Sequence, residues 1–302
     1  MGLFATAVRS TILSATSTVT EGKAMLEGWV RVVELLQLPF MQRAMLGGIL
    51  TGMTGGLLGS FVILRQLSFF SDALGHSALL GIVLGVLLGL NPTVVLMVFG
   101  VGFALGVTFV LERTQLSADA VLNIIYSSSL ALAVIALSLL PGYRGNLNQL
   151  LFGEILGISP AALWTSGILL LISSAYVGLT LPSQMLLTLD EPLARARGVQ
   201  VGWQRLAFVV LLALVVALAI RSVGVLLVSA FVVIPASTAR LLGSRFTTYV
   251  LLAIGIGGLS AVLGMIASAT FNLPSGPSIV ATQLLFFLLA MALKGVSQLL
   301  QL

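Results

Sequence analysis

The sequence has no cysteine and a single histidine among its 302 residues. The lack of cysteine excludes disulfide bonds and thiolate metal sites, and one histidine is too few for a zinc-protease helix of the H-E-x-x-H kind. Asp, Glu, Lys and Arg together make up only 8% of the chain, against about 25% in an average soluble domain. Gly22-Lys23 is followed by Ala24 and lacks the other signals of a P-loop, so we expect no ATP hydrolysis by this chain alone.

Apolar residues dominate the composition, at 59% of the chain with a mean hydropathy of +1.17. A helix needs about 20 mainly apolar residues to cross the hydrocarbon layer, and lipid cannot satisfy an open backbone. The sequence therefore predicts an all-α, polytopic membrane bundle over residues 41–302. An N-terminal tail over 1–40 precedes it, in which 24–38 has the pattern of an amphipathic surface helix. The predicted spans are 43–64, 73–90, 93–111, 119–140, 160–181, 205–220, 223–242, 248–270 and 279–297.

The seventh predicted span leaves the count open between eight and nine. It contains Pro235, and because proline kinks a helix readily, this span could instead be two short helices. If the polar stretch 182–205 is cytoplasmic, alternation places five further basic residues on the same side, as the positive-inside rule favours. These residues are Arg65, Arg113, Arg240, Arg245 and Lys294. Arginines at span ends account for much of the net charge of +5, which therefore does not indicate nucleic-acid binding.

Glycines recur at four-residue spacing in three of the predicted spans. Small residues at this spacing let helix backbones approach closely in a membrane. We therefore expect tight packing around all three helices, rather than a dedicated dimer motif. The glycines are Gly48, Gly52, Gly55, Gly56 and Gly59 in the first span, Gly81, Gly85 and Gly89 in the second, and Gly102 and Gly106 in the third.

The only histidine, His76, lies four residues after Asp72 near the start of the second predicted span. Residues four apart share one face of a helix, and a carboxylate with an imidazole suits zinc, manganese or iron. A charge near the centre of a spanning helix costs about 2.5–3.5 kcal/mol, so an acidic residue there favours a functional role. Structural roles stay open: Asp72 could complement a helix dipole, and His76 could bond to a backbone carbonyl.

Of the other acidic residues, three lie in the N-terminal tail and four flank the predicted spans, where contact with water explains them. Asp119 could in addition cap the helix that follows it. Glu154 is the second acidic residue in apolar surroundings. Because the segment from Leu147 to Leu156 has the pattern of a short amphipathic stretch between two spans, we expect Glu154 at a membrane interface.

The segment TLDEPLARARGV, within the polar stretch between two spans, has the signals of a short helix. Asp190 or Glu191 can cap its N-terminus, and Gly198 can end it. Arg195 and Arg197 suit the C-terminal end of the helix dipole. The helix would present both charged and apolar groups. A docking helix for a soluble partner is one interpretation, and an ordinary solvated loop is the other.

Several motifs occur together in a fixed order over about residues 43–297: GLLGSFVILRQLSFFSDALGHSALLGIVLG, LLFGEILGIS, LDEPLARARGV, SAFVVIPASTARLL and NLPSGPSIV. In this order they resemble the permease subunits of bacterial ABC importers for zinc, manganese and iron. The resemblance implies a helical permease that forms a homodimer in the bacterial inner membrane. Its implied partners are a cytoplasmic ATP-binding cassette subunit, which supplies ATP hydrolysis, and an external metal-binding protein.

The family's D-x-x-x-H motif, which is expected to meet the transported metal, corresponds to Asp72 and His76. The family's coupling region, which touches the ATPase, corresponds to Asp190, Glu191, Leu193, Arg195, Arg197 and Gly198. The resemblance implies a divalent metal ion as cargo and no permanently bound cofactor. After His76 the chain lacks a proline that many manganese and iron members have, which favours zinc. The alternatives are a manganese or iron importer, an ion-coupled secondary transporter that uses Asp72 as a proton or sodium site, and a structural or regulatory membrane protein.

Overall fold

The structure is a computed structural model that describes residues 34, 35, 37–139 and 153–299. These residues form ten α-helices, one 3-10 turn at Ile155–Gly157 and no β-strand. The amphipathic helix predicted over 24–38 lies almost wholly outside the described residues. The helices are α1 Pro39–Leu64, α2 Phe70–Leu87, α3 Pro92–Arg113, α4 Ala118–Ser138, α5 Pro160–Leu189, α6 Glu191–Ala196, α7 Val201–Val223, α8 Val228–Leu242, α9 Phe246–Phe271 and α10 Ser275–Leu299.

Within the described ranges, eight helices are long and apolar enough to cross a membrane, namely all except α6 and α8. The all-α membrane bundle is therefore confirmed. The span predicted over 223–242 is wrong in its first residues, because residue 223 ends α7 and Gly224 adopts a positive φ of 92° that stops the helix. The remaining helix, α8, has 15 residues and is about 22 Å long, shorter than the hydrocarbon layer of about 30 Å.

Pro235 does not divide α8, so the alternative of two short helices is wrong. Proline has no N–H group, and the carbonyl of Phe231, four residues earlier, therefore loses its usual helical donor. That carbonyl oxygen lies directly against the backbone of Gly55 in α1. The neighbouring helix thus covers the place where proline interrupts the hydrogen bonds of α8.

Helix α1 lies between α8 and α9 and approaches both at backbone distance. Gly52 faces the Gly257 carbonyl and Gly56 the Ala253 carbonyl in α9, so a Cβ atom at either position would overlap the neighbouring backbone. This confirms the close packing expected for α1. In α3 the expectation is wrong: an added Cβ at Gly102 would meet no described atom within 4 Å.

The polar residues after 181 do not end the fifth predicted span. Helix α5 continues through Pro182 and ends at Leu189, eight residues later than predicted. Gln184, on this extension, is fully buried and hydrogen-bonded by its neighbours. A polar side chain with buried partners is compatible with a helix inside a bundle, and this pairing is not visible in the sequence.

The basic ends of the helices lie at one face of the bundle. The Arg65 side chain, after α1, reaches Thr188 at the end of α5, and the Tyr249 hydroxyl of α9 donates to the carbonyl of Ser60 near the end of α1. Arg240, in the last turn of α8, lines the same cavity as Gln66. The positive-inside rule makes this face cytoplasmic.

Candidate metal site and coupling helix

Helix α2 begins at Phe70, just after the turn that leaves α1, and places Asp72 in its first turn. Within that turn Gln66 adopts a left-handed φ of 57°, which reverses the chain direction. Asp72 and His76 lie on one face of α2, as their spacing predicts, with 3.8 Å between Asp72 Oδ1 and His76 Nε2. Both side chains are partly exposed, His76 by 25% and Asp72 by 35%.

The geometry of the Asp72–His76 pair suits a shared cation. A separation of 3.8 Å is too long for a direct hydrogen bond, so the two groups do not close on each other. It is shorter than twice a metal–ligand distance of about 2.1 Å, so one zinc-sized ion can touch both atoms. The described residues contain no cluster of three or more His, Cys, Asp and Glu side chains that could hold a metal.

Two residues from other helices complete the surroundings of the pair. The Ser229 hydroxyl, at the start of α8, is a long hydrogen-bond donor at 3.5 Å from Asp72 Oδ1. The Tyr126 ring of α4 lies 5.3 Å from the His76 ring, centroid to centroid, and is inclined to it by 54°. The sequence analysis missed both residues, because neither spacing nor composition relates α2 to α4 or α8.

A cavity of about 940 Å³ extends from Asp72 towards the cytoplasmic face. Its polar lining comes from the turn after α1 and from helices α2, α4 and α8. Because the lining ends at charged residues of the basic face, the cavity gives Asp72 a route to the cytoplasmic side. The polar and charged lining residues are Gln66, Ser68, Asp72, Asp119, Asn123, Ser229 and Arg240.

Asp119 does not cap α4 as predicted. The cap is Ser117, whose side chain accepts a hydrogen bond from the Ala120 backbone N–H, which leaves the exposed Asp119 carboxylate free to face the cavity. Asp119, Asn123 and Tyr126 are spaced i, i+4 and i+7, so they share one face of α4. That spacing in an apolar helix is the signal from which the cavity lining could have been found.

Glu154 is exposed and belongs to neither the pair nor the cavity lining within the described part of the chain. Its backbone N–H donates to the carbonyl of Arg221 near the end of α7, at the end of the bundle opposite Arg65. The predicted amphipathic segment 147–156 is described only from residue 153 onward, where a 3-10 turn begins at Ile155.

The predicted short helix on the cytoplasmic face is α6, and its cap is Asp190. The Asp190 carboxylate accepts a hydrogen bond of 2.9 Å from the Leu193 N–H. At the other end Gly198 has a φ of 78°, with bonds from Gly198 N to Arg195 O and from Val199 N to Ala194 O. These two bonds form a Schellman motif. The helix predicted from TLDEPLARARGV is therefore confirmed.

One ion-pair network fixes α6 to its neighbour α7. Glu191 accepts hydrogen bonds from Arg195 within α6, at 2.7 Å, and from Arg205 in α7. The Arg195 hydrogen bond and the charge of Arg205 lower the pKa of the Glu191 carboxyl below its ordinary value. Ala194 is fully buried, whereas Leu193 is exposed. Helix α6 therefore has one face docked on the bundle and one face open to the cytoplasm.

The sequence profile of the ABC 3 transport family matches residues 37–294. The chain belongs to the ABC 3 transport family. One similar protein is the "Manganese transport system membrane protein MntC" of Listeria monocytogenes, 32% identical over 85% of this chain and 91% of its own length. Another is the "High-affinity zinc uptake system membrane protein ZnuB" of Haemophilus influenzae, 34% identical over 82% of this chain and 95% of its own length.

The fold is also found in a solved structure, "PsaBC from Streptococcus pneumoniae in complex with Fab". The matched chain has 30% sequence identity and a TM-score of 0.76, and the match covers 86% of this chain and 94% of that one. Family membership and the eight apolar helices together identify a multi-pass transport protein of the bacterial inner membrane.

Proposed function

We propose that this ABC 3 family member is the permease subunit of an ATP-driven importer of divalent transition-metal ions. The supporting observation is the Asp72–His76 pair, held 3.8 Å apart, of which Asp72 lines a cavity that runs to the cytoplasmic face. The relatives are named for manganese and for zinc, so their names do not distinguish the metals. We favour zinc because of the segment that follows His76, with manganese and iron as the alternatives.

The pair acts as a transit site along the path. Two protein ligands bind an ion more weakly than the four-ligand shell of a structural zinc site, and weak binding lets the ion leave again. In a homodimer, a two-fold axis near the pair would supply the same two ligands from the second copy. The ion then has up to four protein ligands in one state of the transporter and fewer in the other.

The cavity gives the direction of release. In the described conformation it runs from Asp72 past Asn123 to Asp119 and Arg240 at the cytoplasmic face. An external metal-binding protein delivers the ion from the opposite side. Alternating access then consists of opening the outer side while this cavity is closed, and closing the outer side while the cavity is open.

Helix α6 is the contact for the ATP-binding cassette subunit in this proposal. Its outward face presents Leu193, Arg195 and Arg197, while its inner face is fixed to the bundle through Ala194 and Glu191. A helix that is fixed to the bundle on one side and accessible on the other can transmit a displacement from a soluble partner to the membrane helices. Asp190 and Gly198 set its two ends.

The test is metal uptake into proteoliposomes that contain the permease, its ATPase and its metal-binding protein. We expect Asp72→Asn and His76→Ala each to lower uptake by about tenfold or more, since even groups that only support a metal ligand commonly have effects of 10- to 100-fold. Glu112→Gln, an exposed carboxylate at the end of α3, is the matched control. Uptake near the wild-type rate by correctly inserted Asp72 and His76 variants would exclude the proposed site.

The same vesicles separate the importer from an ion-coupled secondary transporter. The importer needs ATP and its ATPase subunit, whereas a secondary transporter moves its substrate with a proton or sodium gradient alone. Uptake by the permease alone under such a gradient would exclude the importer. Parallel measurements with zinc, manganese and iron give the order of preference among the metals.

A further inference from the structure

A partly buried polar cluster lies at the cytoplasmic end of α1 and belongs to neither the metal pair nor the coupling helix. At its centre, Arg65 donates from Nε to Thr188 Oγ1 at 3.1 Å and from Nη2 to the side-chain oxygen of Gln184. The guanidinium also lies 4.5 Å above the centre of the Phe208 ring. We name the group the Arg65 cluster; it comprises Arg65, Tyr176, Gln184, Thr188 and Gln204.

Gln184 connects three helices through this cluster. Its carbonyl oxygen accepts from Arg65 after α1, and its amide nitrogen donates to the Tyr176 hydroxyl and to Gln204 Oε1 of α7, both at 2.7 Å. The Tyr176 hydroxyl in turn donates to the backbone carbonyl of Gln204 at 3.0 Å. The Gln184 side chain is fully buried. Arg65 at the end of α1 and helices α5 and α7 are therefore held together by partly buried polar bonds around the buried Gln184 side chain.

Stability alone is a poor explanation for this arrangement. A buried charge loses its hydration, and well-packed apolar residues commonly serve as well as a buried ion or hydrogen-bond network. A charged residue among membrane helices favours a functional role by default. Polar bonds differ from apolar contacts in that they fix both distance and direction, so the helix ends cannot slide past one another.

The position of the Arg65 cluster indicates what its function could be, because the cluster is connected to α6 on one side and to the start of α2 on the other. On one side, α5 and α7 are the two helices that flank α6, and Gln204 directly precedes Arg205, which pairs with Glu191 of α6. On the other side, Arg65 starts the turn to α2 with a backbone bond from its N–H to the carbonyl of Phe61. Asp72 follows in the first turn of α2. The cluster thus stands between the coupling helix and the metal pair.

We propose that Arg65 is a positioning residue that couples α6 to the Asp72–His76 pair, an inference that rests on the importer function proposed above. The Arg65 cluster fixes the α1–α2 turn to the α5–α6–α7 unit. When the ATPase displaces α6, the turn moves with it, and the start of α2 is displaced relative to α8 and Ser229. Without Arg65, α6 still moves and ATP is still hydrolysed. The Asp72–His76 pair, however, no longer switches between the outer and the cytoplasmic side each time α6 moves.

The experiment measures the number of metal ions imported per ATP hydrolysed by the reconstituted transporter. We expect Arg65→Met and Gln184→Leu to lower this ratio by about fivefold or more, the lower end of a typical coupling between distant sites, while ATP hydrolysis persists. Gln184→Glu keeps an acceptor for the guanidinium and should restore much of the ratio. Arg113→Met is the matched control, because Arg113 also ends a spanning helix and lies over a ring, 5.3 Å from the centre of Phe109.

A structural role predicts a different result. If the cluster only supports the fold, the variants lose import and ATP hydrolysis in proportion, and the ratio stays at the wild-type value; this outcome overturns the inference. Thr188→Val, which removes one bond to Arg65 and changes little volume, provides a milder variant if Arg65→Met does not assemble, with a smaller fall expected in the same ratio. Absence of import by the wild-type complex would instead contradict the importer function itself.

Discussion

The two sides of α8 differ in how closely the chain packs. Towards α1, Phe231 and Val232 meet glycine backbones, Gly55 and Gly59, with no side chain between them. Towards α2 and α4, Ser229, Ala230 and Val233 line a cavity of about 940 Å³. The helix is thus packed at backbone distance on one side and faces a cavity lined by both polar and apolar residues on the other.

This difference separates the closely packed part of the molecule from the part that has room for a cation. Backbone contact without side chains leaves no rotamers to adjust, so α1 is held firmly against α8 and α9 over the segment from Gly52 to Gly59. The cavity side has polar groups and unfilled volume, which a cation requires and an apolar core excludes. Asp72 lies at the border, on α2 but within reach of Ser229 of α8.

The largest expected effect comes from breaking the packed side. In Gly56→Leu the new Cβ would lie against the backbone of Ala253, 2.6 Å from its carbonyl carbon, where neither helix can yield. We expect destabilisation of about 3 kcal/mol, at the upper end of the usual range for overpacking, measured as a lower unfolding temperature of the purified permease. Gly102→Leu is the control, since a Cβ there meets no described atom within 4 Å. Equal unfolding temperatures for the two variants would show that the close approach is not needed.

A change on the cavity side should affect transport and leave the fold intact. In Asp119→Asn the cytoplasmic half of the cavity loses a negative charge that attracts a cation. We expect uptake to fall by roughly threefold to tenfold, less than for Asp72→Asn, because Asp119 raises the local cation concentration without holding the ion tightly. The measurement is initial uptake rate against metal concentration, with Glu112→Gln as control. Unchanged rates would exclude the cavity as the release route.

The smallest effect is expected outside both regions, at α6. Because Arg195 and Arg205 lower the Glu191 pKa, the ion pair contributes fully above the ordinary carboxyl pKa and is lost as the pH falls through the lowered value. Glu191→Gln imitates the protonated state and should loosen α6 by up to about 1 kcal/mol, seen as faster hydrogen exchange of its amides at neutral pH. Arg197→Gln, at an exposed position, is the control. If the amide hydrogens of α6 exchange as slowly in Glu191→Gln as in the wild type, the buried Ala194 is sufficient to hold α6 on the bundle without the ion pair.

Local sequence signals predicted the functional elements with different success. The short helix α6 was predicted with its C-terminal glycine and with Asp190 or Glu191 as its cap, because an N-cap, an N-terminal proline and a left-handed glycine act within a few residues of each other. The shared face of Asp72 and His76 followed from helical spacing alone. The end of α5 was missed, because polar residues after 181 are helical only when Arg65 and Gln204, distant in sequence, supply partners.

By itself the sequence determined the membrane environment of the protein, the helical class, the shared helical face of Asp72 and His76, and the short helix α6. Each depends on composition or on residues within one or two helical turns, where geometry is fixed by the backbone. Tertiary structure alone decided which glycines touch a neighbouring backbone, that α8 starts beside Asp72, and that Asp119 and Asn123 share a cavity with it. These are distances between helices, and they depend on how side chains far apart in the chain pack against each other.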